Sequence, residues 1–189
     1  MTDPRVTKTI DRIVRELLEK HTGGVRFFDA LDAAWRTRPS CAHVVDYFVN
    51  LAADLDVDGY VSTGRFGMYL HNSYGSLFSN LILVTGGLRT GAPMDPLDYL
   101  RDDIHDRVFC LLDDSLYSGR TRSLISAELQ RHGGALSHTM VIYDGGRDWS
   151  PFVTSLYRYY DYYRPEPLRR NPNTRRSKPL NDRTRFHDV

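Results

Sequence analysis

The chain has 189 residues, 41% of them hydrophobic, and a formal net charge of +1 at pH 7. This is enough apolar material for one domain with a core, and the small net charge excludes a global field that would select charged partners. Its two cysteines, Cys41 and Cys110, are too few and too far apart for a disulfide framework or a cysteine metal site. With no run of about 18 apolar residues and no signal-peptide core, we expect a cytoplasmic protein without membrane contact.

The charges are distributed unevenly along the chain. Residues 164–189 carry eight Lys or Arg and three acidic residues, a net charge of +5, and the rest of the chain carries −4. The same segment contains four prolines and few large apolar residues, so we expect an extended basic tail. Such a tail could contact phosphates of nucleic acid or a protein partner, and the sequence leaves both open.

The first 56 residues predict three helices. The first is capped by Thr2 or Asp3 and ended by Gly23-Gly24, the second covers 29–38, and the third covers 43–55. Each of the first and third carries apolar residues on one face. We expect residues 1–56 to form an N-terminal helical region packed on the rest of the chain.

Beyond residue 57, short apolar runs indicate strands. Four candidates cover 59–62, 81–85, 108–112 and 139–143, and a helix over 120–131 separates the last two. Nearly continuous apolar runs are typical of strands covered on both faces, and strand–helix–strand spacing predicts parallel pairing. The predicted fold class is α/β, with a doubly wound, mostly parallel sheet over 57–163. Such sheets bind ligands at the carboxyl ends of their strands.

Residues 111–121, LLDDSLYSGRT, follow the third predicted strand and lead into a helix. Backbone N–H groups and hydroxyls at a helix N-terminus suit a phosphate monoester, and a glycine lets the backbone approach it closely. The preceding carboxylates, Asp113 and Asp114, suit the vicinal hydroxyls of a sugar. The segment therefore predicts a site for a 5-phosphorylated ribose. Its phosphate-binding residues would be Ser115, Leu116, Tyr117, Ser118, Gly119, Arg120 and Thr121.

The longer stretch VFCLLDDSLYSGRT resembles the phosphoribosyl-diphosphate (PRPP) signature of type I phosphoribosyltransferases. That signature has four apolar residues, two acids, three variable residues, then Thr or Ser, Gly, any residue, and Thr or Ser. Ser118 stands where threonine is commoner. The resemblance covers roughly residues 57–148, and its part through Asp144 is most similar to uracil and hypoxanthine-guanine phosphoribosyltransferases. It implies transfer of the phosphoribosyl group from PRPP to a nucleobase, with release of diphosphate and Mg²⁺ as cofactor.

The resemblance also implies a diphosphate-binding loop after the first strand. Thr63, Gly64 and Arg65 match that loop in position. Arg89, early in the segment before the third strand, is a second candidate contact for the diphosphate. The alternative for both arginines is that of ordinary solvated side chains.

Roles for the sugar, metal and base follow from the same resemblance. Asp113 and Asp114 would orient the ribose and bind Mg²⁺, mostly through water or substrate oxygens, and Arg65 would complete the catalytic set. Asp144 and Arg147, after the fourth strand, are candidates beside the base.

Two questions stay open. The tyrosine-rich run LYRYYDYYRP, from residue 156, could stack on a base, pack as an edge strand, or form a homodimer surface; packing is the favoured interpretation. The second question is turnover. The absence of lysine between Lys20 and Lys178 favours a non-catalytic PRPP or nucleotide sensor, whereas the intact Asp113-Asp114 pair favours an enzyme.

Overall fold

A computed structural model describes residues 2–21, 25–78, 80–84, 104–146 and 151–162. Its centre is a five-stranded sheet in which every pair of neighbouring strands is parallel. The strands are β1 (Gly59–Thr63), β2 (Leu81–Val84), β3 (Val108–Leu116), β4 (Ala135–Asp144) and β5 (Val153–Arg158), in the order β2-β1-β3-β4-β5. The prediction of an α/β fold with a parallel sheet is confirmed.

Six α-helices accompany the sheet in the described ranges. They are α1 (Pro4–Lys20), α2 (Val25–Thr37), α3 (Ala42–Ala53), α4 (Gly64–Tyr74), α5 (Arg120–Arg131) and α6 (Tyr159–Tyr162). A short 3-10 helix, Pro39–Cys41, follows α2 because proline cannot continue the hydrogen-bonded ladder. Asp3 caps α1, since its carboxylate accepts a hydrogen bond of 2.7 Å from the N–H of Arg5. No helix of this part of the chain combines the length and apolarity needed to cross a bilayer.

Several predicted boundaries are wrong in an informative way. Helix α2 begins four residues before the predicted 29–38, and helix α4 occupies a region for which the sequence analysis gives only a loop. Strand β3 continues past its apolar run through both carboxylates, and β4 begins at Ala135 with alternately exposed residues. An apolar run marks only the buried part of such a strand, so its polar ends are missed.

The part of the tyrosine-rich run that lies within the described residues, 156–162, is divided between two elements. Its first residues belong to the edge strand β5, where Tyr157 is buried and its ring stacks on Tyr143 with centroids 6.2 Å apart. Tyr159 and Tyr160 begin the single-turn helix α6. The favoured interpretation of packing therefore agrees with the position of Tyr157.

The core has two parts, one on each face of the sheet. Helices α1 to α4 cover one face and pack on alternate residues of β3, Cys110 and Leu112. Helix α5 covers the other face and packs on Phe109 and Leu111. Because side chains alternate along a strand, Asp114 continues the face of α1 to α4 and Asp113 the face of α5. Helices on both faces make the sheet doubly wound.

Candidate functional site

The strand order places one crevice at the carboxyl edge of the sheet. From the adjacent strands β1 and β3 the chain continues in opposite directions, to β2 on one side and to β4 on the other. In open α/β sheets such a switch point leaves a gap between the two strand ends, where ligands bind. The hydroxyl of Ser62 donates a hydrogen bond of 2.6 Å to the carbonyl of Leu112, which holds the two strand ends together. The two sequence motifs end up on either side of this crevice.

Asp113 and Asp114 lie next to each other on the β3 side. Asp114 is buried, and its N–H donates a hydrogen bond of 2.9 Å to the Asp113 carboxylate. Burial raises the pKa of Asp113 to about 6. Burial, followed by the charge of Asp113, raises the pKa of Asp114 well above its usual range. The negative charge of Asp32 raises both pKa values further. The pair is therefore a site where negative charge is costly until cationic or hydrogen-donating groups arrive.

The predicted phosphate cradle follows directly. Ser115 and Leu116 are still part of β3, residues 117–119 form a bend, and α5 begins at Arg120. Gly119 has a φ of +72°, in the left-handed region, and a side chain placed there would meet no atom within 4 Å. The first N–H groups of α5 have no partner within the helix, and that of Arg120 donates a hydrogen bond of 3.4 Å to the Ser118 hydroxyl. N–H groups at a helix N-terminus are donors that suit an anion. The loop thus has the open space and the donors that a phosphate needs.

On the β1 side, Gly64 repeats this arrangement. Its φ is +60°, and the space beside its Cα is also open to 4 Å. Thr63 is buried at the end of β1, and Arg65 follows in the first turn of α4. The Arg65 guanidinium donates a hydrogen bond of 2.7 Å to Asp29 and lies 3.3 Å from the carboxylate of Asp32. Arg65 is therefore engaged with helix α2.

Helix α2 contributes charges that the sequence analysis does not assign to the site. Asp32 is buried, and Arg36 holds it through two hydrogen bonds of 2.9 and 2.8 Å. These bonds raise the pKa of Arg36 against the lowering effect of burial, and the negative charges of Asp32 and then Asp114 raise it further. Asp29, Asp32 and Arg36 follow one another at intervals of three and four residues, which places them on one side of the helix. That spacing beside an apolar face was the available signal.

At the β4 side, Asp144 is buried at the end of its strand. Its carboxylate accepts a hydrogen bond of 2.8 Å from the N–H of Gly146 and lies 3.6 Å from the Nε atom of Arg158 on β5. Burial raises the pKa of Asp144, although the Gly146 bond and the charge of Arg158 lower it. Sequence analysis places Asp144 near the site but misses Arg158, its register partner.

Aromatic rings connect α2 with the phosphate loop. The ring of Phe28 lies 5.7 Å from that of Tyr117 and 6.4 Å from that of Tyr143, measured between centroids. The N–H of Gly145 donates a hydrogen bond of 2.8 Å to the carbonyl of Leu116, so the loop after β4 is tied to the end of β3. Helix α2 therefore forms a wall on this side of the strand ends.

Two predicted residues, Arg89 and Arg147, lie outside the described residues, as does the basic tail. The remaining predicted residues divide into groups around the crevice. Asp113, Asp114 and the loop to Thr121 lie on one side, Thr63, Gly64 and Arg65 lie on the other, and Asp144 lies at the end of the neighbouring strand.

The donor set can be compared with the needs of Mg²⁺. No group of three or more His, Cys, Asp or Glu residues within the described ranges could by itself hold a metal ion. Mg²⁺, however, usually binds one or two carboxylates together with substrate phosphates and several waters. The neighbouring carboxylates of Asp113 and Asp114 fit that kind of shared site and not an all-protein cage.

The chain is similar to solved structures of other proteins. The crystal structure of orotate phosphoribosyltransferase from Mycobacterium tuberculosis H37Rv, in complex with inorganic phosphate, matches 85% of this chain and 92% of that chain. The two share 12% sequence identity, with a TM-score of 0.48. No family model matches the sequence, and no curated protein sequence matches it either.

Proposed function

We propose that the chain binds PRPP in the crevice between β1 and β3 and transfers its phosphoribosyl group to a nucleobase, releasing diphosphate. The observation that carries this proposal is the position of the Asp113-Asp114 pair. It lies at the switch point of the sheet, directly before a loop that turns at Gly119 and the N-terminus of helix α5. A sugar phosphate needs this combination, because its hydroxyls donate to carboxylates and its phosphate accepts from N–H groups.

The two loops on opposite sides of the crevice support an assignment of the two phosphate-bearing ends of PRPP. The 5-phosphate would bind to residues 115–121, where open backbone and helix N–H groups meet. The diphosphate would bind on the opposite side, at Thr63, Gly64 and Arg65, with Arg89 as a further contact. The ribose would then lie over Asp113 and Asp114, between the two phosphate loops.

The chemistry requires little covalent help from the protein. The bond from C1 of the ribose to the diphosphate oxygen breaks, and its electron pair leaves with the diphosphate. A ring nitrogen of the base forms the new bond to C1 and loses its proton to water. Asp113 and Asp114, when ionised, offset the positive charge that develops on the sugar, and Arg65 stabilises the leaving group. Asp144 and Arg147 are the proposed contacts with the base.

Mg²⁺ is the proposed cofactor. When bound, it would supply positive charge that neutralises the diphosphate. Asp113 and Asp114 would hold it mostly through water or ligand oxygens, in keeping with the reluctance of Mg²⁺ to lose its waters. This proposal also accounts for the cost of the two adjacent carboxylates, because a cation would lower their raised pKa values.

The decisive experiment is diphosphate release from PRPP and Mg²⁺ with a panel of purine and pyrimidine bases. Asp114→Asn, which keeps the size of the side chain but removes its charge, is the test variant. Asp46→Asn is a matched control, because Asp46 lies on α3, outside the predicted site, and its carboxylate accepts a hydrogen bond from the hydroxyl of Tyr74. We expect release with one base or one class of base, lost in Asp114→Asn and retained in Asp46→Asn. Absence of release with every base would contradict transferase activity.

A second candidate function has its own supporting observation. Arg65, the predicted diphosphate contact, forms ion pairs with two carboxylates of α2, so a ligand that binds Arg65 would act directly on the contacts of this helix. A PRPP or nucleotide sensor would bind PRPP saturably, and Asp114→Asn would weaken this binding, but no base would cause diphosphate release. Equilibrium binding measured beside the release assay therefore separates sensor from enzyme. Sharply salt-dependent nucleic-acid binding that is lost without residues 164–189 would identify a nucleic-acid partner for the tail.

A further inference from the structure

The ion pairs of Arg65 are unequal. On one edge, the Nη2 atom donates a hydrogen bond of 2.7 Å to Asp29, whose side chain is 38% exposed. The Nε atom of the same guanidinium lies 3.3 Å from the carboxylate of Asp32, whose side chain is 11% exposed. Asp32 is in addition held by Arg36 through two hydrogen bonds. One partner of Arg65 is thus fixed, and the other is accessible to solvent.

An anion that binds at the β1 loop encounters a guanidinium, that of Arg65, which is already paired with two carboxylates. A guanidinium binds a carboxylate or a phosphate with the same N–H groups, so the N–H of Nη2 that donates to Asp29 cannot at the same time donate fully to an incoming anion. The contact with Asp32 is anchored by Arg36 inside the protein, whereas the contact with Asp29 is part of an exposed pair. Exposed pairs are weak, so this is the contact that an incoming diphosphate can replace.

We propose that Asp29 competes with the diphosphate of the ligand for the guanidinium of Arg65, and that Asp32, held by Arg36, is the positioning residue that keeps Arg65 at the β1 loop. This inference rests on the proposed function, because it takes diphosphate as the anion at Thr63, Gly64 and Arg65. It assigns helix α2 a role in ligand binding that the motifs of the sequence do not include. The two acids of α2 then have opposite effects on affinity.

The test is the affinity of the full-length chain for inorganic diphosphate, measured by calorimetric titration at constant Mg²⁺ concentration and ionic strength. The variants are Asp29→Asn, Arg65→Ala and the double variant. We expect Asp29→Asn to tighten diphosphate binding about two- to fivefold, the range set by the strength of an exposed ion pair. In the Arg65→Ala background, the same substitution should leave the affinity unchanged, because the contested guanidinium is absent.

Loss of a negative charge alone also favours anion binding, so a charge control is required. Glu19→Gln removes one charge from the exposed side of α1 and should change the affinity for diphosphate less than Asp29→Asn does. A gain of affinity is the useful readout, since a variant that merely damages the fold loses affinity. PRPP binding of the wild-type chain is measured alongside.

Four results would overturn the inference. Equal tightening in Glu19→Gln, or tightening that persists without Arg65, would mean a general charge effect. Unchanged affinity in Asp29→Asn would mean that Asp29 does not compete, and the proposed function would stand if the wild type still binds PRPP. If the wild type binds neither diphosphate nor PRPP, the proposed function is contradicted, and the inference is contradicted with it.

Discussion

The guanidinium of Arg36 donates two hydrogen bonds, of 2.9 and 2.8 Å, to the carboxylate of Asp32 one turn earlier in helix α2. The carboxylate of Asp32 also lies 3.3 Å from Arg65, and its negative charge raises the pKa values of Asp113 and Asp114. The Arg36–Asp32 pair therefore connects the N-terminal helices with both sides of the crevice. Its surroundings are largely removed from water, with side-chain exposures of 20% and 11%.

Arg36→Met should lower the free energy of unfolding by about 2 kcal/mol. The substitution leaves the buried carboxylate of Asp32 with less compensation, which is the costly way to break a pair of this kind. Lys20→Met is the matched control, because Lys20 pairs with Glu16 at the same spacing but is 61% exposed. It should cost no more than about 0.5 kcal/mol. Urea unfolding measures both, and equal costs would contradict a special role for the α2 pair.

The raised pKa of Asp113 predicts a pH dependence of stability. In the unfolded chain this carboxyl loses its proton near pH 4, but in the folded chain it keeps the proton up to about pH 6. The folded state binds more protons between these values, so its stability falls as the pH rises through this window. Relative to Asp113→Asn, we expect the wild type to lose about 1–3 kcal/mol between pH 4 and pH 6.5. Urea unfolding across this range gives the two profiles, and parallel profiles would contradict the prediction.

Gly119 allows two effects to be separated. Its φ of +72° strains any side chain, and alanine there should cost about 1–2 kcal/mol of stability. Asparagine tolerates the left-handed region and should cost less. If a phosphate approaches the open backbone at this position, both variants should bind PRPP more weakly, although only Gly119→Ala is strongly destabilised. Unchanged PRPP affinity in Gly119→Asn would limit the role of Gly119 to the turn.

The contact between Phe28 and Tyr117 predicts energetic coupling between α2 and the phosphate loop. In a double-mutant cycle, Phe28→Ala and Tyr117→Ala should couple by about 0.5–1.5 kcal/mol, as aromatic pairs at this separation do. Phe28→Ala combined with Leu129→Ala is the control, because Leu129 packs on the opposite face of the sheet. Their costs in urea unfolding should add. Additivity of the Phe28 and Tyr117 substitutions as well would show that α2 does not support the loop.

The parallel sheet and the β3 motif could both be predicted from the sequence, each for a different reason. Apolar runs such as residues 108–112 report burial on both faces, and that is a property of each strand alone. LLDDSLYSGRT carries its chemistry in consecutive residues, so no knowledge of the fold was needed to identify it. Strand β5 and helix α4 were harder, because β5 has polar residues at Thr154 and Ser155 and α4 mixes glycine and polar residues within its length.

The amino-acid sequence by itself determined which residues form a carboxylate pair, a glycine turn and a helix start, because these features depend on neighbours along the chain. Only the tertiary structure decided what surrounds them. Asp29 and Asp32 lie far from Asp113 in sequence, and Arg65 contacts these two carboxylates only because α2 packs over the strand ends. Long-range electrostatics and burial set the raised pKa values of Asp113 and Asp114. Such effects depend on distances in space, which no local pattern of residues records.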